Sequence, residues 1–254
     1  MRTIKLTISY DGTNYVGWQI QNNGVSVQAL VQSAVRQMTG EKNIIEGASR
    51  TDAGVHALGQ VAHFSTNKKI PLRGFKSGLN SMLSTDIVVL SASEANDKFH
   101  SRKSSKGKLY LYRIFILDER SPIFRNRFWQ LHEKPDVVKM RKAAKFFVGK
   151  HDFASFCASG SSCKDAIRTI KKMNIKVPSA KKDLLAGEGM FIDFTVEGDG
   201  FVRHMIRNIV GTLVDVGYGK IRSEDVEKII EARNRKHAGR CAPACGLYLV
   251  KVFY

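Results

Sequence analysis

One polar stretch of the sequence combines residue types that can act on a substrate. Between two apolar segments lies Ala48-Ser49-Arg50-Thr51-Asp52-Ala53-Gly54-Val55-His56-Ala57. Asp-Ala-Gly favours a tight turn, so we expect Arg50, Asp52 and His56 to project from a loop on a rigid base. An Asx turn beside a solvated arginine has the same residue pattern, and spacing alone does not separate the two interpretations.

Aromatic and basic residues recur in the second half of the chain. Tyr110 and Tyr112 alternate along a strand-like segment, with Lys108 and Arg113 nearby. Such residues serve base stacking and phosphate contact, or they face a core. His204 lies in an otherwise apolar, helix-like segment, where a structural, phosphate-contacting or catalytic role remains open.

The four cysteines are Cys157, Cys163, Cys241 and Cys245. We expect free thiols, because a reducing compartment keeps cysteines reduced. The spacing of Cys241 and Cys245 resembles half of a zinc knuckle, but the other two cysteines are too far apart to form a second half. The sequence therefore predicts no metal site.

The first part of the chain shows the element order β-α-β-β-α-β. Apolar and polar residues alternate over Thr3 to Tyr10, and helical spacing follows between an N-cap Ser26 and a C-cap Gly40. The later predicted elements are strands at Ile44-Ile45 and Gln60 to Ser65, a helix from Leu72 to Leu83 and a strand from Ile87 to Leu90.

The second part repeats this order with one extra helix. Its predicted elements are a strand at Leu109 to Leu117, a helix at Val137 to Val148, strands at Ile170 to Val177 and Met190 to Val196, a helix at Val202 to Val214, a helix capped by Ser223 and ending near Ala232, and a strand at Leu247 to Phe253. Residues 96–108 are polar and without period, so we place a domain boundary there. We predict an α+β fold of two ferredoxin-like units, residues 1–103 and 104–254, sharing an extended antiparallel sheet.

The chain is strongly basic. It has 41 Lys and Arg against 23 Asp and Glu, a formal net charge of +18. This excess predicts a polyanionic partner and favours nucleic acid, although charge alone does not choose between RNA, DNA and anionic lipid. No apolar run is long enough to span a membrane and no signal peptide is seen, so a cytoplasmic protein is expected.

Seven motifs along the chain resemble those of one enzyme family. Arg50-Thr51-Asp52-Ala53-Gly54-Val55-His56 is similar to the signature of the TruA-type tRNA pseudouridine synthases. The others are listed in chain order: Tyr10-Asp11-Gly12 with Gly17-Trp18-Gln19, Gly59-Gln60-Val61, Lys108-Leu109-Tyr110-Leu111-Tyr112, Gly149-Lys150-His151-Asp152-Phe153, Phe201-Val202-Arg203-His204-Met205-Ile206-Arg207-Asn208, and Ala242-Pro243-Ala244-Cys245-Gly246-Leu247.

The resemblance implies a function and a role for four residues. It implies that uridine becomes pseudouridine at positions 38, 39 and 40 of the tRNA anticodon stem-loop, in a homodimer without a cofactor. Asp52 would be the nucleophile, Tyr110 would pack on the target base, Arg207 would pair with the aspartate, and Arg50 would help open the stem. The alternatives are a non-catalytic RNA-binding or tRNA-folding module and a synthase acting on other RNA uridines.

Overall fold

The computed structural model describes residues 1–160, 165–178 and 189–254. Within these ranges the chain forms ten strands and five α-helices. Its contacts group into two compact units, Met1–Lys108 with Tyr248–Tyr254, and Leu109–Leu247. The boundary proposed between residues 103 and 104 stays a prediction, because such grouping does not test which segments fold independently.

The first unit begins with the predicted β-α-β-β-α-β order. Its elements are β1 (Arg2–Tyr10), α1 (Val27–Thr39), β2 (Glu46–Gly47), β3 (His56–Thr66), α2 (Leu72–Met82) and β4 (Ile87–Ala95). Ser26 caps α1 by accepting a hydrogen bond from Ala29 N, and Gly40 ends it in the left-handed region at φ 69°. Both predicted caps are confirmed.

The second unit contains the middle of the chain. Its elements are β5 (Gly107–Ile116), β6 (Trp129–Leu131), α3 (Val137–Ala144), β7 (Gly149–Asp152), β8 (Ile167–Lys176), β9 (Met190–Gly198), α4 (Met205–Gly217) and α5 (Asp225–Glu231). The last strand, β10 (Leu247–Phe253), follows them in the chain. From Tyr248 onward its residues group with the first unit.

The sheet of the first unit is antiparallel around β1. The strand order is β4-β1-β3, with β2 pairing β3 antiparallel. This is the 4-1-3-2 order of a ferredoxin-like unit, and β10 adds a short parallel pairing at the start of β3, through Tyr248 with His56. Ile4 pairs with Phe64 and is fully buried, so one face of the sheet carries the core.

In the second unit the strand order is β5-β9-β8-β7, and β6 pairs with β5 in parallel. The pairs β7 with β8 and β8 with β9 are antiparallel. Helix α4 is the central element of this core, because 12 of its 13 residues are buried. Helices together with mainly antiparallel strand pairs in both units confirm the α+β class.

The predicted start of one strand and the predicted start of one helix are wrong, for identifiable reasons. The strand expected at Ile44-Ile45 forms instead at Glu46–Gly47, because glutamine side chains of α1 occupy the backbone of Ile45. Ile45 N donates to Gln32 Oε1 at 3.1 Å, and Gln28 Nε2 donates to Ile45 O at 2.6 Å. The helix expected from Val202 begins at Met205, because His204 takes a left-handed φ of 65°.

Two helix ends also differ from expectation. Ser223 does not cap α5, because the N-cap of that helix is Glu224. The Ser223 hydroxyl donates instead to Lys139 O at 3.2 Å. The helix predicted to reach Val148 stops at Ala144 and tightens into a 3₁₀ turn at Lys145–Phe147. The short strands β6 and β7 were not predicted, since three or four residues carry too little periodic pattern.

Candidate active site

The polar stretch singled out in the sequence forms a loop between β2 and β3; we call residues 48–55 the signature loop. Its first residues are bonded to β3. Ala48 N donates to Val61 O at 2.7 Å. The buried side chain of Gln60 accepts from Ser49 N at 3.2 Å and donates to Ser49 O at 2.6 Å. The loop therefore leaves the sheet in a fixed direction.

The middle of the signature loop is held by the segment that follows β1. Trp18 N donates to Thr51 O at 3.1 Å, and Gly54 N donates to Tyr15 O at 3.3 Å. The hydroxyls of Tyr10 and Thr51 are hydrogen-bonded at 2.7 Å in a buried position. Backbone bonds thus cross between the two segments in both directions.

Two glycines permit this close approach. A Cβ atom on Gly12 would lie 2.0 Å from Val55 O, and one on Gly17 would lie 2.4 Å from Thr51 O. Gly17 also has φ +107°, which side chains rarely adopt. Glycine is therefore required at positions 12 and 17 so that this part of the chain can pack closely against the signature loop.

Asp52 lies at the turn of the loop, where its backbone oxygen accepts from Val55 N at 3.1 Å. Its side chain is half-buried, and Arg50 is exposed. Gly54 completes the turn with φ +76°. The first unit therefore presents one carboxylate and one arginine from a loop whose backbone is fixed on both sides.

His56 follows the loop and is buried in the first unit. Its Nδ1 lies 2.9 Å from Asp11 Oδ1 and 3.1 Å from Gly12 N, and its ring stacks on Tyr248 at 4.7 Å between centroids. These contacts tie the end of the signature loop to the Asp11-Gly12 turn. They give His56 a structural role.

The second unit carries the other two predicted site residues, Tyr110 and Arg207. The ring of Tyr110, on β5, packs edge-on against Phe201 at 5.2 Å between centroids, and the residue is only 5% exposed. Tyr112 is fully buried and donates to Pro243 O at 2.7 Å; burial raises the pKa of its phenol well above the usual value. Tyr112 is a core residue.

Of the cations near the two tyrosines, Arg113 has an internal role. Its guanidinium donates to both carboxylate oxygens of Asp193 at 2.7 Å and lies over the ring of Phe191. A bidentate pair of this kind is geometrically demanding and directional. Arg113 therefore contributes to the packing of the second unit, and the phosphate contact considered for it is not supported.

Arg207 lies in the first turn of α4 and is half-buried. Its Nε donates to Ala242 O at 2.8 Å, and Ala242 N donates back to Arg207 O at 3.1 Å. The preceding His204 has the left-handed φ of 65°, an uncommon conformation for a residue other than glycine. Such backbone strain is concentrated at functional sites.

Comparisons with known proteins show the family of the chain. A family model described as tRNA pseudouridine synthase matches residues 6–102 and 143–254. The tRNA pseudouridine synthase A of Acetivibrio thermocellus is 48% identical over 254 residues, and that of Thermoanaerobacter sp. strain X514 is 44% identical; both matches cover 100% of each chain. The chain belongs to the tRNA pseudouridine synthase family. It is an isomerase that acts on uridines in tRNA.

The matched ranges include Arg50, Asp52 and Arg207, whereas Tyr110 falls between them. Among solved structures, a Cbf5-Nop10-Gar1 complex matches with a TM-score of 0.29 at 12% identity, covering 80% of this chain and 52% of that one. That likeness is too low to carry an argument about the fold.

Asn208 lies in one of the seven motifs, and the sequence predicted no role for it. In the enzyme its buried side chain donates to Phe156 O at 2.7 Å and to Cys157 O at 2.9 Å, and it accepts from Arg235 at 3.1 Å. A buried amide with both ends occupied fixes its neighbours in one arrangement. Asn208 thus joins α4 to two other segments of the second unit.

The cysteines of the enzyme differ in part from expectation. Cys157 is disulfide-bonded, so the prediction of free thiols is wrong there, whereas Cys241 and Cys245 are free. The thiol of Cys245 donates to Phe128 O at 3.3 Å, and burial raises its pKa. Cys163 lies outside the described residues.

Over the described ranges, no three His, Cys, Asp or Glu side chains come together as a possible metal site. In the same part of the chain, every helix is too short or too polar to cross a bilayer.

Proposed function

We propose that the enzyme isomerises the uridines at positions 38, 39 and 40 of the tRNA anticodon stem-loop, with Asp52 as the nucleophile. The observation that carries the proposal is the signature loop, which holds a half-buried carboxylate on a backbone bonded to β3 and to the segment after β1. A reacting group that is already oriented loses little entropy when substrate binds.

The reaction fits these residue types. The N-glycosidic bond between ribose C1′ and N1 of uracil breaks, the uracil turns, and its C5 bonds to C1′. The hydrogen of C5 leaves as a proton, and N1 takes up a proton. Reactant and product are isomers, so no oxidant or phosphate donor is consumed. The chain supplies a carboxylate at Asp52. We propose that the ring of Tyr110 packs on the target base and that Arg207 pairs with Asp52.

The charge of the chain supports a large RNA partner. A formal net charge of +18 favours phosphate contacts, which supply affinity without reading sequence. Turning a base out of a duplex costs a few kcal/mol, and less near a loop. We propose that Arg50, exposed beside Asp52, helps to open the stem there and fills the space left by the base.

We further propose that the enzyme works as a homodimer, as the family resemblance implies. Light scattering of the purified protein should then give about twice the 28.4 kDa of one chain. A molar mass of one chain at micromolar concentration contradicts the dimer without touching the proposed reaction.

Substitution of Asp52 tests the function. Asp52→Asn keeps the size of the side chain but removes its charge, so we expect turnover to be abolished while tRNA binding and folding persist. The assay is tritium release from C5-labelled uridine in anticodon stem-loops that carry one uridine at position 38, 39 or 40. Asp97→Asn, an exposed acid elsewhere in the first unit, is the matched control and should be fully active.

Two results would contradict the proposal. Tritium release by Asp52→Asn, free of wild-type enzyme, would show that Asp52 is not the nucleophile. Conversion by the wild type of uridines only outside the anticodon arm removes the proposed target.

A further inference from the structure

One face of α4 contacts residues 239–242, which we call the anchored segment. The α4 residues involved are Arg207, Gly211, Thr212 and Asp215. Their spacing places them along one side of the helix over about two turns. Both partners belong to the second unit.

The middle of this contact is very close. A Cβ atom on Gly211 would lie 1.8 Å from Arg240 O, so the backbones touch where α4 has no side chain. Beside it, Gly239 N donates to Thr212 Oγ1 at 3.0 Å. The anchored segment therefore has little freedom to shift along the helix.

The far end of the contact is an ion pair. Asp215 accepts from Arg240 N at 3.1 Å and from Arg240 Nε at 2.8 Å, and a terminal guanidinium nitrogen lies 2.7 Å from Asp215 Oδ1. The Asp215 side chain is 8% exposed, against 41% for Arg240. A carboxylate so buried is costly unless it is paired and hydrogen-bonded, so Asp215 holds Arg240 firmly.

The near end of the contact is Arg207 itself. Ala242 O accepts from Arg207 Nε, two residues beyond Arg240 in the chain. A guanidinium is planar and rigid, so one hydrogen bond at Nε limits the direction in which its terminal nitrogens point. Any shift of the anchored segment would therefore turn the Arg207 head group.

We propose that Asp215 and Arg240 are positioning residues, which fix the anchored segment so that Ala242 O orients the Arg207 guanidinium for the reaction. This rests on the proposed role of Arg207. Asp215 lies eight residues after Arg207, about 12 Å along the helix, so the pair acts through the anchored segment.

The test measures single-turnover rate and tRNA affinity separately. Arg240→Met keeps the unbranched apolar part of the side chain and removes its charge and fork. We expect the rate at saturating enzyme to fall about 10- to 100-fold, because a small misplacement of a reacting group has that effect. The dissociation constant for tRNA should change less than about threefold, since one exposed cation contributes little to a polyelectrolyte contact. Arg222→Met, which removes an exposed arginine paired with Asp225 in the same unit, is the control and should keep the wild-type rate.

A double-mutant cycle shows whether the effect passes through Arg207. In an Arg207→Ala background, Arg240→Met should lower the rate less than about twofold, because residues that act as one unit are not additive. Additive losses, or a loss of Arg240→Met confined to tRNA affinity, would overturn the proposal. Arg240→Lys keeps the charge without the fork and should retain an intermediate rate, which provides a reading if Arg240→Met does not fold.

The same cycle separates two failures. If Arg207→Ala lowers the rate and a folded Arg240→Met does not, the positioning role is wrong and the proposed function stands. If Arg207→Ala retains the full rate, the proposed role of Arg207 fails, and the positioning role with it.

Discussion

The signature loop and the anchored segment are held in place by different forces. The signature loop is fixed by backbone hydrogen bonds, such as Trp18 N to Thr51 O, and by glycines that allow backbones to touch. The anchored segment also touches a glycine, but its end is fixed by the ion pair of Asp215 and Arg240. The signature loop carries two of the predicted site residues, Arg50 and Asp52, and the anchored segment contacts a third, Arg207 of α4.

This difference matters for how each region fails. A close backbone contact at a glycine is lost through steric change, whereas an ion pair is lost through change of charge or fork geometry. Substitutions that add one methyl group should therefore damage the signature loop. Isosteric changes of charge should damage the anchored segment.

After the loss of turnover expected for Asp52→Asn, the largest predicted effect concerns Tyr110 in the second unit. Tyr110→Phe keeps the ring and its edge contact with Phe201, so only the hydroxyl is lost. If the hydroxyl transfers a proton during isomerisation, the single-turnover rate should fall about 10²- to 10⁴-fold with normal tRNA affinity. Full activity of Tyr110→Phe would show that the ring alone is used, with stacking worth about 1–3 kcal/mol.

Tyr110→Ala is a poorer test. It also removes the packing against Phe201 from a residue that is almost fully buried, which should lower the free energy of unfolding by about 3–5 kcal/mol. A loss of rate in that variant combines chemistry with instability, so the comparison depends on Tyr110→Phe.

The second effect tests the backbone contact of the signature loop. In Gly12→Ala the new Cβ would lie 2.0 Å from Val55 O, so the loop must move. We expect a loss of about 1–3 kcal/mol in the free energy of unfolding and a rate about 100-fold lower, because Asp52 moves with the loop. Urea unfolding and single-turnover rates measure the two quantities.

Gly40→Ala is the matched control. Gly40 also needs a special conformation, with φ +69°, but a Cβ there meets nothing within 4 Å. It should cost about 1–2 kcal/mol of stability and leave the rate unchanged. A Gly12→Ala variant with full activity would show that the loop tolerates displacement and would break the comparison.

Much of the first unit, including the turn of the signature loop, could be predicted from sequence because its determinants are local. The caps Ser26 and Gly40 and the turn at Asp52 each depend on residues within a few positions. The strand expected at Ile44-Ile45 was displaced because Gln28 and Gln32 bind its backbone from α1, and amide side chains carry no periodic signal.

The contact between α4 and the anchored segment could not be predicted in the same way. Asp215 and Arg240 are ordinary charges 25 residues apart, and nothing near either one indicates the other. The only signal was the spacing of Arg207, Gly211 and Asp215 on one side of α4, and it becomes meaningful once the segment opposite is known. Long-range ion pairs of this kind are set by tertiary packing.

A smaller effect on stability and rate is expected when the signature loop loses a side-chain hydrogen bond and keeps its backbone hydrogen bonds. Tyr10→Phe removes the hydrogen bond to Thr51 Oγ1 while Trp18 N still donates to Thr51 O. The free energy of unfolding should fall by about 1–3 kcal/mol, with a rate within about tenfold of the wild type. In a cycle with Thr51→Val the two losses should be less than additive; unchanged stability of Tyr10→Phe would contradict a structural bond there.

The smallest effect concerns acid and tests whether the first unit weakens away from the signature loop. Burial lowers the pKa of His63 below its usual value, the electrostatic interaction with His100 lowers it further, and Glu46 opposes this. The neutral ring accepts from Ser101 N at 3.3 Å. Because the folded pKa lies below the unfolded one, this stabilisation is present above about pH 6.5 and is lost as the pH falls through the folded value.

We expect the melting temperature to decline between about pH 7.5 and pH 5, and His63→Gln to make that decline shallower. His237→Gln, an exposed histidine of the second unit, should follow the wild-type slope. If His63→Gln follows the wild-type slope as well, His63 is not the source of the acid sensitivity, and pH does not distinguish the two regions.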